Sequence, residues 1–271
     1  MAGKKSSGAY EAILRDVFMA RYVDGASEVP FTREDLREVD RRLATGVSNI
    51  GDVPYSYRYR RPMPEEIARR APTGKVWVIR GVGGARYCFA AVDPDQELTP
   101  DPMLAATDIP DATPGIIARY ALSDEQALLA RVRYNRLVDV FTGVACYSLQ
   151  SHLRTNVPGI GQVETDEIYV GLDCHGAHYV FPVQAKAGRD RLGVVQIEQD
   201  FALCAYKFAG LICRPIAAQF VGDRIALFAL VETGDGIRKL DERHYRLLPQ
   251  EQISDEALAA YRAQAGCTPP A

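Results

Sequence analysis

Two pairs of side chains in this sequence have types and spacing that could do chemistry: Glu164 with Asp166, and Gln184 with Lys186. Each pair is separated by one residue, within a stretch (162–186) rich in β-branched and aromatic residues that reads as two adjacent strands. Strand side chains alternate between faces, so each pair shares a face. The intervening residues of the second strand, Tyr179, Phe181, Val183 and Ala185, are core material. Two carboxylates can hold Mg²⁺, an oxygen-seeking ion. A neighbouring lysine can orient, or help deprotonate, a water that attacks a phosphodiester, while the ion offsets the developing charge.

The elements that must position these groups are legible around them. Residues 8–23 read as a helix. A second helix starts at Thr32, whose hydroxyl would cap it with Asp35 three positions on, and stops at Gly46. DVPYSYRYRRPMPEE follows as an extended segment, with a short helix from Pro64 to Ala71. Residues 75–80 and 86–92 alternate around a glycine-rich turn and predict a β-hairpin. Residues 93–115 hold five prolines and five aspartates and read as a linker. Ser123 and Gln126 then suggest a capping box opening one long helix that closes near Gly143. After the two motif strands come a helix at about 193–208, strands at 211–220 and 223–232, and a C-terminal helix from Ser254. The expected organisation is an α+β N-terminal domain (1–92), a linker (93–115), and an α/β domain (116–271) whose mixed sheet is flanked by helices.

Composition narrows the function classes. The 271 residues are 47% hydrophobic and 25% charged, as in soluble proteins. No run of 18 apolar residues appears, and the N-terminus lacks a secretory pattern, so neither a membrane partner nor export is expected. The six cysteines lack paired spacing and read as reduced thiols of a cytoplasmic protein. Net charge is −3, but residues 1–92 carry 16 Lys and Arg against 11 Asp and Glu, and the remainder 16 against 24. A basic front and an acidic back suit a chain that grips phosphates with one part and cations with the other.

With these residues in view, the chain resembles the PD-(D/E)xK nuclease superfamily, in which an acidic residue on one hairpin strand faces an acidic-x-Lys element on the next. VETDEIYVG matches the first element and VFPVQAK the second, with Gln184 standing where the superfamily usually has Asp or Glu. The resemblance spans roughly residues 123–231 and implies a restriction-endonuclease-like core. It implies Asp166 as central metal ligand, Lys186 as catalytic lysine, and Glu164 as the extra acid of some branches. The amide oxygen of Gln184 would help hold the metal. It also implies Mg²⁺ as cofactor, with Mn²⁺ able to substitute, and a product carrying a 5′-phosphate. The substrate class implied is double-stranded DNA, cut in restriction or phage defence. A homodimer and a cognate methyltransferase or other defence-system partner are expected with it. The alternative, motivated by Gln184, is an inactive nuclease-fold DNA-binding or sensor protein.

Other residues carry weaker signals. YSYRYRR offers Arg58, Arg60 and Arg61 either to nucleic acid, with tyrosines stacking, or as the solvent face of an edge strand. Arg189 and Arg191, just past Lys186, read as phosphate contacts or as a solvated loop. Gln199 lies on the polar side of the following helix and could reach a nucleic-acid backbone. Glu167 should point away from Asp166, either supporting the site or pairing on the far side. Asp173, Cys174, His175 and His178 read as a polar turn, since no second ligand pair has zinc spacing.

Overall fold

The computed structural model describes residues 2–59, 61–94, 98–122, 124–187, 192–234 and 236–265. The chain divides into two compact units. The first comprises Met1–Gln96, Arg154–Glu164 and Gly193–Tyr206; the second comprises Glu97–Leu153, Thr165–Leu192 and Lys207–Ala271. The chain therefore passes between the units several times, where the sequence suggests one boundary.

In the first unit, helix α1 (Ala2–Arg21) precedes strand β1 (Glu28–Thr32), helix α2 (Arg33–Leu43), helix α3 (Asp52–Tyr59), helix α4 (Glu65–Ala68), and the hairpin of β2 (Val76–Gly81) and β3 (Arg86–Val92). The three strands form an antiparallel sheet in the order β1-β3-β2. Phe18 of α1 meets the rings of Trp77 and Phe89 edge-on, at 5.4 and 5.0 Å, and these rings anchor the core with Phe31, Leu36 and Ile79. The capping box at Thr32 forms: its hydroxyl accepts from the Asp35 N–H, and the Asp35 carboxylate accepts from the Thr32 N–H. The helix ends two residues before the expected Gly46, at Ala44 in the left-handed region (φ 50°). Thr45 and Val47 then both donate to the Asp40 carboxylate.

The segment expected to be extended, YSYRYRR, is helical through Tyr59. Its period-two alternation of tyrosine and arginine imitates a strand. The positions that bury are Val53, Pro54, Ser56 and Tyr57, spaced by three and four, and Tyr55 and Tyr59, also four apart, touch ring to ring at 4.9 Å. That is helix geometry.

The second unit is built on a mixed sheet with strand order β4-β11-β10-β9-β7-β6-β5. The strands are β4 (Ala106–Pro110), β5 (Ala145–Val157), β6 (Gly161–Leu172), β7 (His178–Lys186), β9 (Ile216–Val221), β10 (Arg224–Thr233) and β11 (Gly236–Leu248), with short β8 (Ile212–Cys213) pairing on β7. The turn between β5 and β6, with the strand ends beside it (residues 154–164), groups with the first unit. β7 pairs antiparallel with β6 and parallel with β9. Its odd residues Phe181, Val183 and Ala185 enter a core with Ile216, Ala218 and Leu227 from the sheet. Leu128, Leu129, Val132, Leu137 and Val138 of helices α6 (Glu125–Tyr134) and α7 (Leu137–Thr142) complete that core.

Two expectations in this unit are corrected. Residues 106–110, within the expected linker, form β4, an edge strand paired in parallel with β11. Pro110 is its last residue, and the Asp111 N–H just beyond donates to the Leu248 carbonyl of β11 (2.8 Å). The stretch before it is tied down as well: Lys239 of β11 donates to the Thr99 carbonyl (2.9 Å), and Glu242 accepts from the Asp101 N–H (2.8 Å). The expected single helix after residue 123 is two, because Arg136 takes a left-handed conformation (φ 49°). Asn135, at the break, is buried and donates to the Arg131 carbonyl and Thr113 hydroxyl, while its own carbonyl accepts from the Ala112 N–H. The side chain at the cap is Asp124, which accepts from the Ala127 N–H (2.9 Å); Ser123 lies outside the described residues.

Gly171 of β6 sits where α7's end and β7 close on it: a Cβ there would lie 2.6 Å from Val144 Cγ1, 3.1 Å from the Phe181 ring and 3.2 Å from Cys146 Sγ. Gly171→Ala is therefore expected to lower unfolding free energy by about 1–3 kcal/mol through overpacking. Urea denaturation measures this; an unchanged midpoint would show that the contact is looser than the distances state.

Candidate active site

Strand register builds the central part of the site within the second unit. The last paired residues of β6 and β7 are Glu167 and Val183, so the next residues along, Asp166 and Gln184, stand opposite one another as the strands part. Asp166 continues the connection through its side chain: Oδ2 accepts the Ala185 N–H at 2.9 Å. On the other side β7 stays paired, Gln184 opposite Ala217 and Lys186 opposite Gln219 of β9. The alternation expected along β7 is present, with Ala185 in the core and Gln184 and Lys186 on the intervening positions.

Gln184 is buried to 1% exposure and Lys186 is largely covered. The Lys186 ammonium lies 3.5 Å from Glu125 Oε1. Glu125 opens α6, and the Asp124 cap fixes the start of that helix. Sequence reasoning missed Glu125. The only signal was an acidic first turn, which is common at helix N-termini because it suits the helix dipole. The second unit thus places Asp166 and Gln184 where the strands part, and Lys186 beside Glu125.

Glu164, Gln199, Arg58 and Arg61 belong to the first unit. Glu164 receives Arg154 Nη2 on both carboxylate oxygens, at 3.1 and 2.9 Å. Gln199 of helix α8 (Val194–Lys207) is buried, and its Oε1 accepts from the Tyr59 hydroxyl at 2.8 Å. Burial raises the Tyr59 pKa, the nearby Arg58 charge and the Gln199 bond lower it, and Glu164 adds to the rise. Arg58 lies over the Tyr59 ring at 5.0 Å and Arg61 over the Tyr10 ring at 5.4 Å. Arg60, Arg189 and Arg191 fall outside the described residues. Among the described residues, no three His, Cys, Asp or Glu side chains converge as a group able to hold a metal ion.

Glu167, next to Asp166, points the other way, as expected from alternation. It is fully buried and accepts from Arg133 Nε (2.9 Å) and Ser148 Oγ (2.6 Å), both on Oε1. Its Oε2 and the nearby Tyr169 hydroxyl have no hydrogen-bond partner among the described residues. Burial, with the Glu167 charge beside it, pushes the Tyr169 pKa far up, so the phenol stays protonated. Asp173 is spent on the hairpin turn, accepting from the His175 and Ala177 N–H groups and the Tyr179 hydroxyl.

No family model, curated protein or solved structure matches this chain.

The Arg133–Glu167 pair fixes the strand that carries Asp166, and it can be tested by stability. Arg133→Met would leave a buried carboxylate without its cation, a loss of about 2–4 kcal/mol once the partial exposure of Arg133 is discounted. Adding Glu167→Gln to that variant removes the stranded charge and should restore at least half of the loss. Urea unfolding of the two variants decides: if the double variant is no more stable than the single, the ion pair is not what holds β6.

Proposed function

We propose that this chain is a Mg²⁺-dependent endodeoxyribonuclease with a restriction-endonuclease-like core. The observation that carries the reading is the strand pair itself. Asp166 and Gln184 face each other where β6 and β7 part, Lys186 follows on β7, and Lys186 is met by a carboxylate from the start of α6. A core of helix, hairpin, helix and strand, with acid, amide and ammonium at the parting strands, is the arrangement that the resemblance requires.

The donor types suit Mg²⁺: the Asp166 carboxylate, whose Oδ2 accepts the Ala185 N–H, and the Gln184 amide oxygen would hold it, with Glu125 as a further donor. Mg²⁺ is commonly held by one or two carboxylates, with waters and substrate phosphate completing the shell. The uncharged amide at 184 weakens the case for a second ion. When bound, the ion supplies charge neutralisation at the scissile phosphate. The rest falls to the protein's own groups. Lys186, already held beside an acid and largely out of solvent, orients the attacking water and carries positive charge next to the phosphoryl oxygens. Asp166 is fixed by its backbone bond, so it needs no reorganisation on binding. Double-stranded DNA is the proposed substrate, with the basic first 92 residues contributing phosphate contacts. Two-fold symmetry of the duplex favours a homodimer. Restriction or phage defence, with a cognate methyltransferase or defence partner, is the proposed setting.

Incubating the purified protein with supercoiled and linear DNA in millimolar Mg²⁺ or Mn²⁺ tests this. Cleavage should appear with either ion, and Asp166→Ala and Lys186→Ala should each lower the rate by about 10²–10⁴-fold. Cleavage undiminished in both variants would sink the assignment. Gln184 favours a second reading, a nuclease-fold protein that binds DNA without cutting it. A calorimetric titration with Mg²⁺ that stays silent, while DNA binding persists, would select it.

A further inference from the structure

In the first unit, a half-buried guanidinium keeps two buried nitrogens without an acceptor among the described residues. Arg58 sits in the last turn of α3, and its Nε and Nη2 atoms are buried with no hydrogen-bond partner among the described residues. Its described contact is the face of the Tyr59 ring, 5.0 Å from the guanidinium carbon. A cation over an aromatic ring gains about 0.5–2 kcal/mol. Taking an ionised side chain out of water costs several times that, which is why buried charges are paired.

Tyr59 connects this guanidinium to a second orphan. Its hydroxyl donates to Gln199 Oε1, which fixes the orientation of the carboxamide and leaves the amide nitrogen as the outward donor. Gln199 is 3% exposed, and its Nε2 is likewise buried without a partner among the described residues. Three buried N–H-bearing atoms, on two side chains linked by one tyrosine, thus lack acceptors among the described residues. Gly81 adds space at the same place. A Cβ there would lie 3.6 and 3.7 Å from Arg58 Nη1 and Nη2 and 2.6 Å from the Ile160 carbonyl, so only glycine is tolerated beside the guanidinium.

We propose that Arg58 and Gln199 form a binding site for a phosphate group. The missing partner must accept several hydrogen bonds and carry negative charge. Water meets the first requirement and not the second. A carboxylate offers two oxygens in one plane, suited to the guanidinium fork alone; a phosphoryl group has further oxygens for the amide of Gln199. The phosphate could belong to a nucleic-acid backbone or be a free phosphate. The site stands on the buried donors alone and does not depend on the cleavage reading.

The test uses the full chain without divalent metal. First, thermal midpoints are compared in sodium phosphate, acetate and chloride at equal ionic strength. Second, binding of a fluorescent oligonucleotide is followed across NaCl concentrations. Wild type should be raised in midpoint by phosphate and not by acetate, and Arg58→Gln should lose that response. Gln199→Leu should weaken it by about tenfold, the worth of one hydrogen bond to a charged group. If the source is a nucleic-acid backbone, the salt dependence of oligonucleotide binding falls by about 0.7–0.9 in log–log slope in Arg58→Gln. If the slope is unchanged while phosphate still protects, the source is free phosphate. Should Arg58→Gln fail to fold, wild type against Gln199→Leu carries the same comparison. The proposal is overturned if phosphate protects no better than acetate and no variant alters the oligonucleotide slope. Asp166→Ala should keep the phosphate response even if cleavage is never observed, so the two readings fail separately.

Discussion

Strand β7 is the constraint on which the rest of the second unit depends. It is hydrogen-bonded on both sides, antiparallel to β6 and parallel to β9, so its register is set twice. Its alternation then leaves no freedom. Phe181, Val183 and Ala185 are fully buried in the core beneath α6 and α7. A slip by one residue would trade them for Pro182, Gln184 and Lys186. The slipped register would put the Gln184 amide and the Lys186 ammonium against α6 and α7 in place of apolar side chains, and burying an unpaired charge there is costly. The positions of Gln184 and Lys186 follow from the hydrophobicity of their neighbours.

The same logic explains why Asp166 and Glu167, adjacent acids on one strand, have opposite fates. Glu167 lies on the core side opposite Val183, where an unpaired carboxylate is intolerable, and Arg133 with Ser148 answers it. Asp166 lies where the ladder has just ended. Its carboxylate takes over the role of a strand carbonyl by accepting the Ala185 N–H. The parting of the strands is thus closed on the backbone side by the Asp166 side chain.

How much of this was legible in the sequence depends on how local the physics is. The Thr32–Asp35 box, the 76–92 hairpin, the two motif strands and the α8 helix are specified within a few residues and were read correctly. β5 and β11 were not read as strands. Most of β5 is exposed, and β11 carries the charged run IRKLDERHYR, so neither shows a clean apolar alternation. α3 was hidden by tyrosines and arginines that alternate by chance with period two. The break at Asn135 and Arg136 has no glycine or proline to announce it; it is specified by tertiary bonds from residues 112 and 113. Glu125 was missed for the same reason, since an acidic first turn becomes a site feature only when Lys186 is brought beside it.

Gln184 is where the competing pressures meet. A carboxylate at a position exposed to only 1% would need a cation or a proton to be tolerated, and it would sit opposite Asp166 as a second negative charge. An amide adds no repulsion. The folded chain is therefore easier to hold together with glutamine there, while an ion bound beside it loses one unit of charge attraction. Lys186 shifts the balance in the same direction. Its positive charge repels a cation that Asp166 attracts, and Glu125 at 3.5 Å offsets that repulsion. If the site binds Mg²⁺, Glu125 restores at the helix start the negative charge that position 184 gave up, and the affinity of the site then rests on an ion pair formed between α6 and β7.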